Sequence, residues 1–484
     1  MVGKEAQITL IRESVASLWQ DGNPLPILLH FYGMRGIGKT SLLKALETKI
    51  EAQPPGSGLM TLFLAPLNPV HSSSLNEVAQ FRSLEEIDAF FNDLYLQFQA
   101  VAGRSPTKKY NLIEYERLLS NRSHLKDEDG LWLRAKTLAS DLLRLHREEQ
   151  LHVLLLHDNV PPKVFQWLSK FFFKDLLVER SLCVVATGYA TPVVSTLSLV
   201  QFFKSQPLLP LLPEEARQML APYHLSFELE NQLVELAAGH PASLIEGATE
   251  VAALAQQQGW FEETGLLNHA GQARVTSAMA NRLLLNLPVT LAKCCRLIAP
   301  LRSFRYDTLA ALLPKLMPDD PKYGRANVVD YMLLGKELND QIDFIESDKT
   351  YLMSSMARLI LSNALKFADT TSSSMYRLVN EEAAKYYAGL AERLEKPEQR
   401  GDVILEEIYH RFILIHLEVA VGNSNLEAEV AQLARLLQQR LPLLGGLEGN
   451  RRLATALETD RDFQRLFPQE VEGLLQMLYE SQLH

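Results

Sequence analysis

Apolar residues fall along this chain in two different periods. Before residue 205 they come in short unbroken runs: ILLHFY at 27–32, LMTLFLAP at 59–66, LHVLLLH at 151–157 and SLCVVATGYA at 181–190. Runs of that length without alternation predict strands buried on both faces, as in a parallel sheet. Between them apolar positions recur at three and four spacings, as in SLLKALETKI at 41–50, which predicts amphipathic helices. Strand, helix, strand, helix in that order predicts a doubly wound α/β domain over residues 1–205. From 366 to 484 the helical period continues without strand signals, in stretches such as EEAAKYYAGLAERL and EEIYHRFILIHLEVA. No strict 34-residue repeat can be shown there, so the expectation is a C-terminal α-helical bundle or a short repeat-like module of tetratricopeptide character. His410 and His416 are expected as surface or partly buried packing residues of that region.

The most specific chemistry sits where the first run ends. Gly33-x4-Gly38-Lys39-Thr40 in GMRGIGKTS matches the P-loop pattern in full, with the strand before it and the helix after it that the motif requires. Glycines let the backbone turn consecutive N–H groups inward, and the helix adds the positive end of its dipole, so phosphate oxygens are bound mostly by backbone. Gly33, Arg35, Gly36, Ile37, Gly38, Lys39, Thr40 and Ser41 form the expected phosphate-binding set. Lys39 reaches the β- and γ-phosphates, and the Thr40 hydroxyl is a ligand for Mg²⁺. An acid for the same Mg²⁺ is expected at the end of a second buried strand, and HVLLLHDNV at 152–160 supplies Asp158. Asn159 follows, where an acid would often polarise the attacking water; an amide hydrogen-bonds but takes no proton, so slow hydrolysis is expected. Lys39, Asp158 and Asn159 are the candidate catalytic residues. Thr187-Gly188 ends the fourth run, where open parallel sheets place ligand contacts; a plain strand-to-loop turn is the alternative for the pair. No Asn-Lys-x-Asp element for guanine is present, so ATP or ADP is the expected nucleotide.

Composition narrows the class. With 484 residues, 47% apolar and 22% charged, the chain is of globular type and long enough for about two to four domains. No run approaches the roughly 20 apolar residues of a membrane span, and the N-terminus lacks a signal-peptide pattern, so a cytoplasmic protein without membrane contact is expected. Cys183, Cys294 and Cys295 have neither metal nor disulfide spacing. A net charge of −10 speaks against a protein that coats nucleic acid.

Three further segments carry a resemblance. Val2-Gly3-Lys4-Glu5 looks like an "hhGRE" segment, the P-loop and Asp158 follow, and Gly239-His240-Pro241 in LAAGHPASLIEGA resembles a Gly-x-Pro motif. In this order the signatures are similar to those of STAND-class signal-transducing P-loop ATPases, which include the NACHT and NB-ARC proteins. The resemblance covers roughly residues 1–365. It implies an α/β P-loop NTPase domain over 1–205, a small helical domain over 206–275 and a winged-helix domain over 276–365, ahead of the helical module at 366–484. It further implies that Pro241 touches the adenine or ribose and that the backbone of Val2 and Gly3 packs on the other side of the base; a helix stop and restart also explains Gly239 and Pro241. Met353-Ser354-Ser355 stands where the family commonly has Met-His-Asp, whose histidine holds the ADP β-phosphate, and Tyr189 stands where an arginine often follows the Thr-Gly pair. Both departures remove charge from the sensing of phosphate.

The expected function is an ATP-binding switch or regulatory subunit, whose nucleotide state sets its domain arrangement and which turns ATP over slowly. Only two residues precede Gly3 and fewer than 120 follow residue 365, so an effector or sensor is expected as a separate protein engaged by the C-terminal helices, with nucleotide-dependent oligomers as a further expectation. The alternative is an ATPase of the origin-recognition or clamp-loader kind acting on DNA through its winged helix, and nucleic acid stays open as a partner on that account.

Overall fold

The computed structural model describes residues 2–480 apart from 21–24, 51–57, 67–77, 105–109, 121–126, 190, 193, 195–196, 258, 286, 321, 325–326, 342–343, 348–349, 369–374, 421, 423–424 and 445. The chain divides into two compact units, one of residues 1–224 with 239–245 and one of residues 225–238 with 246–484.

The first unit is built on a five-stranded, wholly parallel sheet. Its strands are β1 (Leu28–Tyr32), β2 (Leu59–Leu64), β3 (His152–His157), β4 (Leu182–Gly188) and β5 (Phe203–Pro207), in the order β2-β3-β4-β1-β5. The continuous apolar runs of the sequence belong to its centre. Every residue of β3 and β4 is buried, whereas β2 at one edge alternates and β5 at the other is mostly exposed or half-buried. Edge strand β5, FKSQP, has no apolar run, so periodicity alone could not announce it.

Register aligns the carboxyl ends of the central strands. His157 pairs with Ala186, Ala186 with His30, and Gly188 with Tyr32, so the residues that follow β3 and β1 emerge at one edge of the sheet, on either side of β4. The P-loop is pinned there by its first residue, since Gly33 N–H donates to the Gly188 carbonyl at 3.2 Å. Helix Lys39–Ile50 starts within the motif and buries Leu42, Leu43 and Leu46.

His30, Ala186 and His157 share one sheet face, where the rings of Phe165 and Phe90 lie 5.4 and 5.3 Å from His30 and His157. Both imidazoles are pushed down to about 3 by burial, that of His30 also by the Lys39 charge. The C-terminal half holds a third such residue. His410 is fully buried rather than surface or partly buried, its ring nitrogen 2.7 Å from Asn380 Oδ1, and burial with Arg302 and Arg358 nearby takes it to about 3 as well. Unfolded histidine titrates near 6.5. Below that pH the unfolded chain binds protons that the folded one refuses until about pH 3, so stability is lost as pH falls through that window. Between pH 7 and pH 5 urea unfolding should reveal a loss of about 2 kcal/mol for each of these histidines, and His157→Leu should abolish the share that His157 contributes.

Among its described residues the second unit is helical apart from one hairpin and two isolated bridges, Phe261 with Leu267 and Phe304 with Tyr351. Helices Val289–Ile298, Tyr306–Leu316 and Val328–Gln341 precede the antiparallel strands β6 (Phe344–Ser347) and β7 (Thr350–Met353), and Phe304 joins β7 by exchanging both backbone bonds with Tyr351. Helix Ser355–Phe367 follows, with Ser354 at its N-cap accepting from Ala357 N–H. Helices Met375–Arg393 and Pro397–Ala420 then run antiparallel, tied by Arg377 to Glu418 and by Asn380 to His410. Helices Leu426–Arg440, Leu447–Thr459, Arg461–Leu466 and Pro468–Glu480 complete this end around Phe412, Leu457, Phe463, Phe467 and Leu474. His416, at its margin, bonds Glu470 at 2.8 Å. Among the described residues no helix is long and apolar enough to cross a membrane.

Candidate functional site

Three side chains meet at the carboxyl edge of the sheet. Asp158 leaves β3 almost completely buried, and both of its oxygens are engaged. Thr40, in the first turn of helix Lys39–Ile50, donates to Oδ2 at 2.5 Å, and Thr187, near the end of β4, donates to Oδ1 at 2.7 Å. The Thr187 hydroxyl also accepts the Asn159 N–H at 2.9 Å, so β4 positions both the acid and the residue behind it. Sequence reasoning named Thr187 for ligand contact; the structure uses its hydroxyl to hold Asp158. Asn159 sits in the left-handed region with φ 53°, which asparagine tolerates better than most residues, and its Oδ1 is buried without a hydrogen-bond partner.

Lys39 folds back over its own loop. Its ammonium donates to the carbonyls of Gly33 and Met34, and it lies 4.3 Å from the centroid of the Tyr189 ring. A cation over an aromatic face is attracted by the ring quadrupole, so Tyr189 brings an apolar partner to the lysine instead of a second positive charge. Burial raises the Tyr189 pKa, which keeps the phenol neutral.

The segments assigned by resemblance converge on the same loop. Gly3 has φ 72°, and a Cβ there would stand 2.7 Å from Leu211 Cδ2. Lys4 is buried beside Gly38 and donates to the Leu209 carbonyl at 2.9 Å; burial lowers its pKa against the opposing pull of Glu215 and Glu5. Helix Phe227–Ala237 stops at Ala238 in the left-handed conformation, Gly239 follows at φ 72°, and Pro241 opens helix Pro241–Leu254. His240, between them, reaches the P-loop with its ring, Nε2 lying 2.7 Å from the Arg35 carbonyl. Motif reading treated His240 as the variable position of Gly-x-Pro, and nothing in local spacing marks its partner 205 residues away.

A phosphate-binding loop after one central strand, an acid after another, and the strand between them supplying the hydroxyl that holds the acid define the first unit. It is a parallel α/β fold with the P-loop motif directly after its strand β1. Oxygen donors alone, Thr40 and Asp158, meet at its edge, and hard oxygen ligands suit Mg²⁺. Among the described residues no group of three or more His, Cys, Asp or Glu side chains that could hold a metal ion occurs.

No family model matches the sequence, and no curated protein matches it. Similar solved structures include Cdc6p from Pyrobaculum aerophilum, 12% identical over 75% of this chain and 93% of that one, with a TM-score of 0.37. The Aeropyrum pernix ORC1 protein, solved in complex with DNA, is 13% identical over 75% and 92%, with a TM-score of 0.39. A STAND protein with a tetratricopeptide repeat sensor from Pyrococcus horikoshii is 14% identical over 99% of this chain and 64% of that chain, with a TM-score of 0.30.

Proposed function

We propose that this chain is an ATP-binding molecular switch or regulatory subunit of STAND type, whose nucleotide state controls its domain arrangement and its binding of a partner protein. The observation that carries the reading is the chain of hydrogen bonds from Thr40 through Asp158 to Thr187 beside Lys39. Thr40 and Asp158 would hold Mg²⁺, which neutralises phosphate charge when bound. The loop backbone grips phosphate, Lys39 supplies the mobile positive charge, and Pro241 with the backbone of Val2 and Gly3 bounds the base. Residues 276–365 would form a winged helix, a reading supported by the order of helices Val289–Ile298, Tyr306–Leu316 and Val328–Gln341, the β6–β7 hairpin and the Phe304–Tyr351 bridge. Residues 206–275 would be the small helical domain and 366–484 the module that meets the effector or sensor.

The groups for gripping nucleotide outnumber those for hydrolysing it. Asn159 cannot accept a proton from water, and Tyr189 in place of an arginine puts a neutral ring beside Lys39. Steady-state turnover is expected to stay below about 1 s⁻¹. Asn159→Asp, tolerated in the same left-handed backbone, should raise kcat by about tenfold or more as a base becomes available. Phosphate release by wild type at rates well above that limit would overturn the switch reading in favour of a working ATPase. The DNA-acting alternative needs a basic face on the third helix of the winged region. That helix, VVDYMLLGKELNDQ, carries three acids and one lysine, so salt-dependent binding to duplex DNA is not expected.

A further inference from the structure

The Gly239–Ile245 segment is bonded to the phosphate-binding loop by its backbone as well as by the His240 ring. His240 is fully buried. Its Nδ1 accepts the Ser243 N–H at 3.2 Å and lies 2.7 Å from the Ser243 hydroxyl. An Nδ1 that accepts a backbone N–H carries no proton, so the ring proton is on Nε2 and is donated to the Arg35 carbonyl at 2.7 Å. One peptide further on, Ala242 N–H donates to the Gly36 carbonyl at 3.3 Å. Such close docking needs glycine at 36. A Cβ there would lie 2.7 Å from both Ala242 Cβ and His240 Cε1, and φ is 81°.

In a trans peptide the C=O and the following N–H point in opposite directions. Holding the Arg35 carbonyl against His240 therefore turns the Gly36 N–H to the other side of the chain, into the concave face that P-loops offer to phosphate. We propose that His240 is the positioning residue of the phosphate-binding loop. By fixing the Arg35–Gly36 peptide it prepares an anion-binding N–H in advance, so that no ordering cost falls due when nucleotide binds. The inference rests on the nucleotide reading above and adds a residue to it.

The test is calorimetric titration of Mg-ADP into the full chain and its variants. His240→Ala and His240→Asn, which remove the donor or draw it short of Arg35, should weaken binding by about ten- to thirtyfold. His240→Gln, whose amide N–H stands where Nε2 does, should stay within about threefold of wild type. If the alanine variant fails to fold, the glutamine and asparagine pair decides alone. Equal affinity of the Gln and Asn variants, or variants that melt earlier yet bind Mg-ADP as wild type does, would overturn the positioning role while leaving the nucleotide site standing. Wild type that binds neither Mg-ADP nor Mg-ATP would instead remove the nucleotide reading itself.

Discussion

Lys39→Ala is expected to abolish measurable binding of Mg-ATP and Mg-ADP. In the structure the ammonium is buried, held by the carbonyls of Gly33 and Met34 and faced by the Tyr189 ring. These contacts keep the charge at the mouth of the loop, within a short swing of any phosphate seated on the backbone. Alanine removes the lysine ammonium of the motif and leaves Arg35 as its other cation. Hydrogen bonds to charged groups contribute about 1.5 to 3 kcal/mol each, so two phosphate contacts correspond to at least a hundredfold in affinity. Thermal shift and calorimetry with both nucleotides supply the measurement. The lysine variant should keep its fold, because Thr40, Asp158 and Thr187 remain bonded to one another without it. Unchanged affinity would mean that phosphate is bound elsewhere.

The second large effect concerns the other unit. Arg302→Met should destabilise the second unit by about 3 to 5 kcal/mol. The Arg302 guanidinium is nearly buried between the rings of Tyr409 and Phe463, 4.7 and 4.8 Å from their centroids. It donates to both oxygens of Glu406, at 3.2 and 2.9 Å, and to Asp460. Arg358 makes a parallel bond to Asp462, in the same short helix that Asp460 caps. Removing one arginine would leave carboxylates without the charge that justified their desolvation. Replacing all members together, as Arg302→Met with Glu406→Gln and Asp460→Asn, should recover most of the loss, because the neutral set no longer has an uncompensated charge. Chemical unfolding of the single and triple variants separates the two outcomes. A cost under 1 kcal/mol for the single variant would show that water already screens the cluster.

This cluster joins the loop before helix Tyr306–Leu316 to helices Pro397–Ala420 and Arg461–Leu466, partners 104 and 158 residues apart in sequence. Charge composition alone gives no hint of it, since arginines and carboxylates in loops and on amphipathic helices read as solvated surface. The misjudged exposure of His410 has the same origin. A polar residue on a helix next to apolar ones is surface by periodicity, and becomes core only when Asn380 from the neighbouring helix meets its ring.

What the sequence determined by itself was short-range. Gly33, Gly38, Lys39 and Thr40 lie within eight residues, and the fully buried strands β3 and β4 betray themselves by apolar runs that no exposed element could keep. The strand that ends at Asp158 was legible for that reason. Strand order was not. Only the tertiary structure placed β4 between the P-loop strand and the acid strand, and so turned the Thr187 hydroxyl onto Asp158. It likewise brought Tyr189 to Lys39 and His240 to Arg35. Local spacing records the period of an element and the conformations its glycines permit, whereas contacts between residues 150 or 205 apart depend on how the whole sheet and its helices close on one another. The chain thus writes its P-loop motif into eight residues of sequence, Gly33 to Thr40, and leaves the surroundings of that loop to its fold.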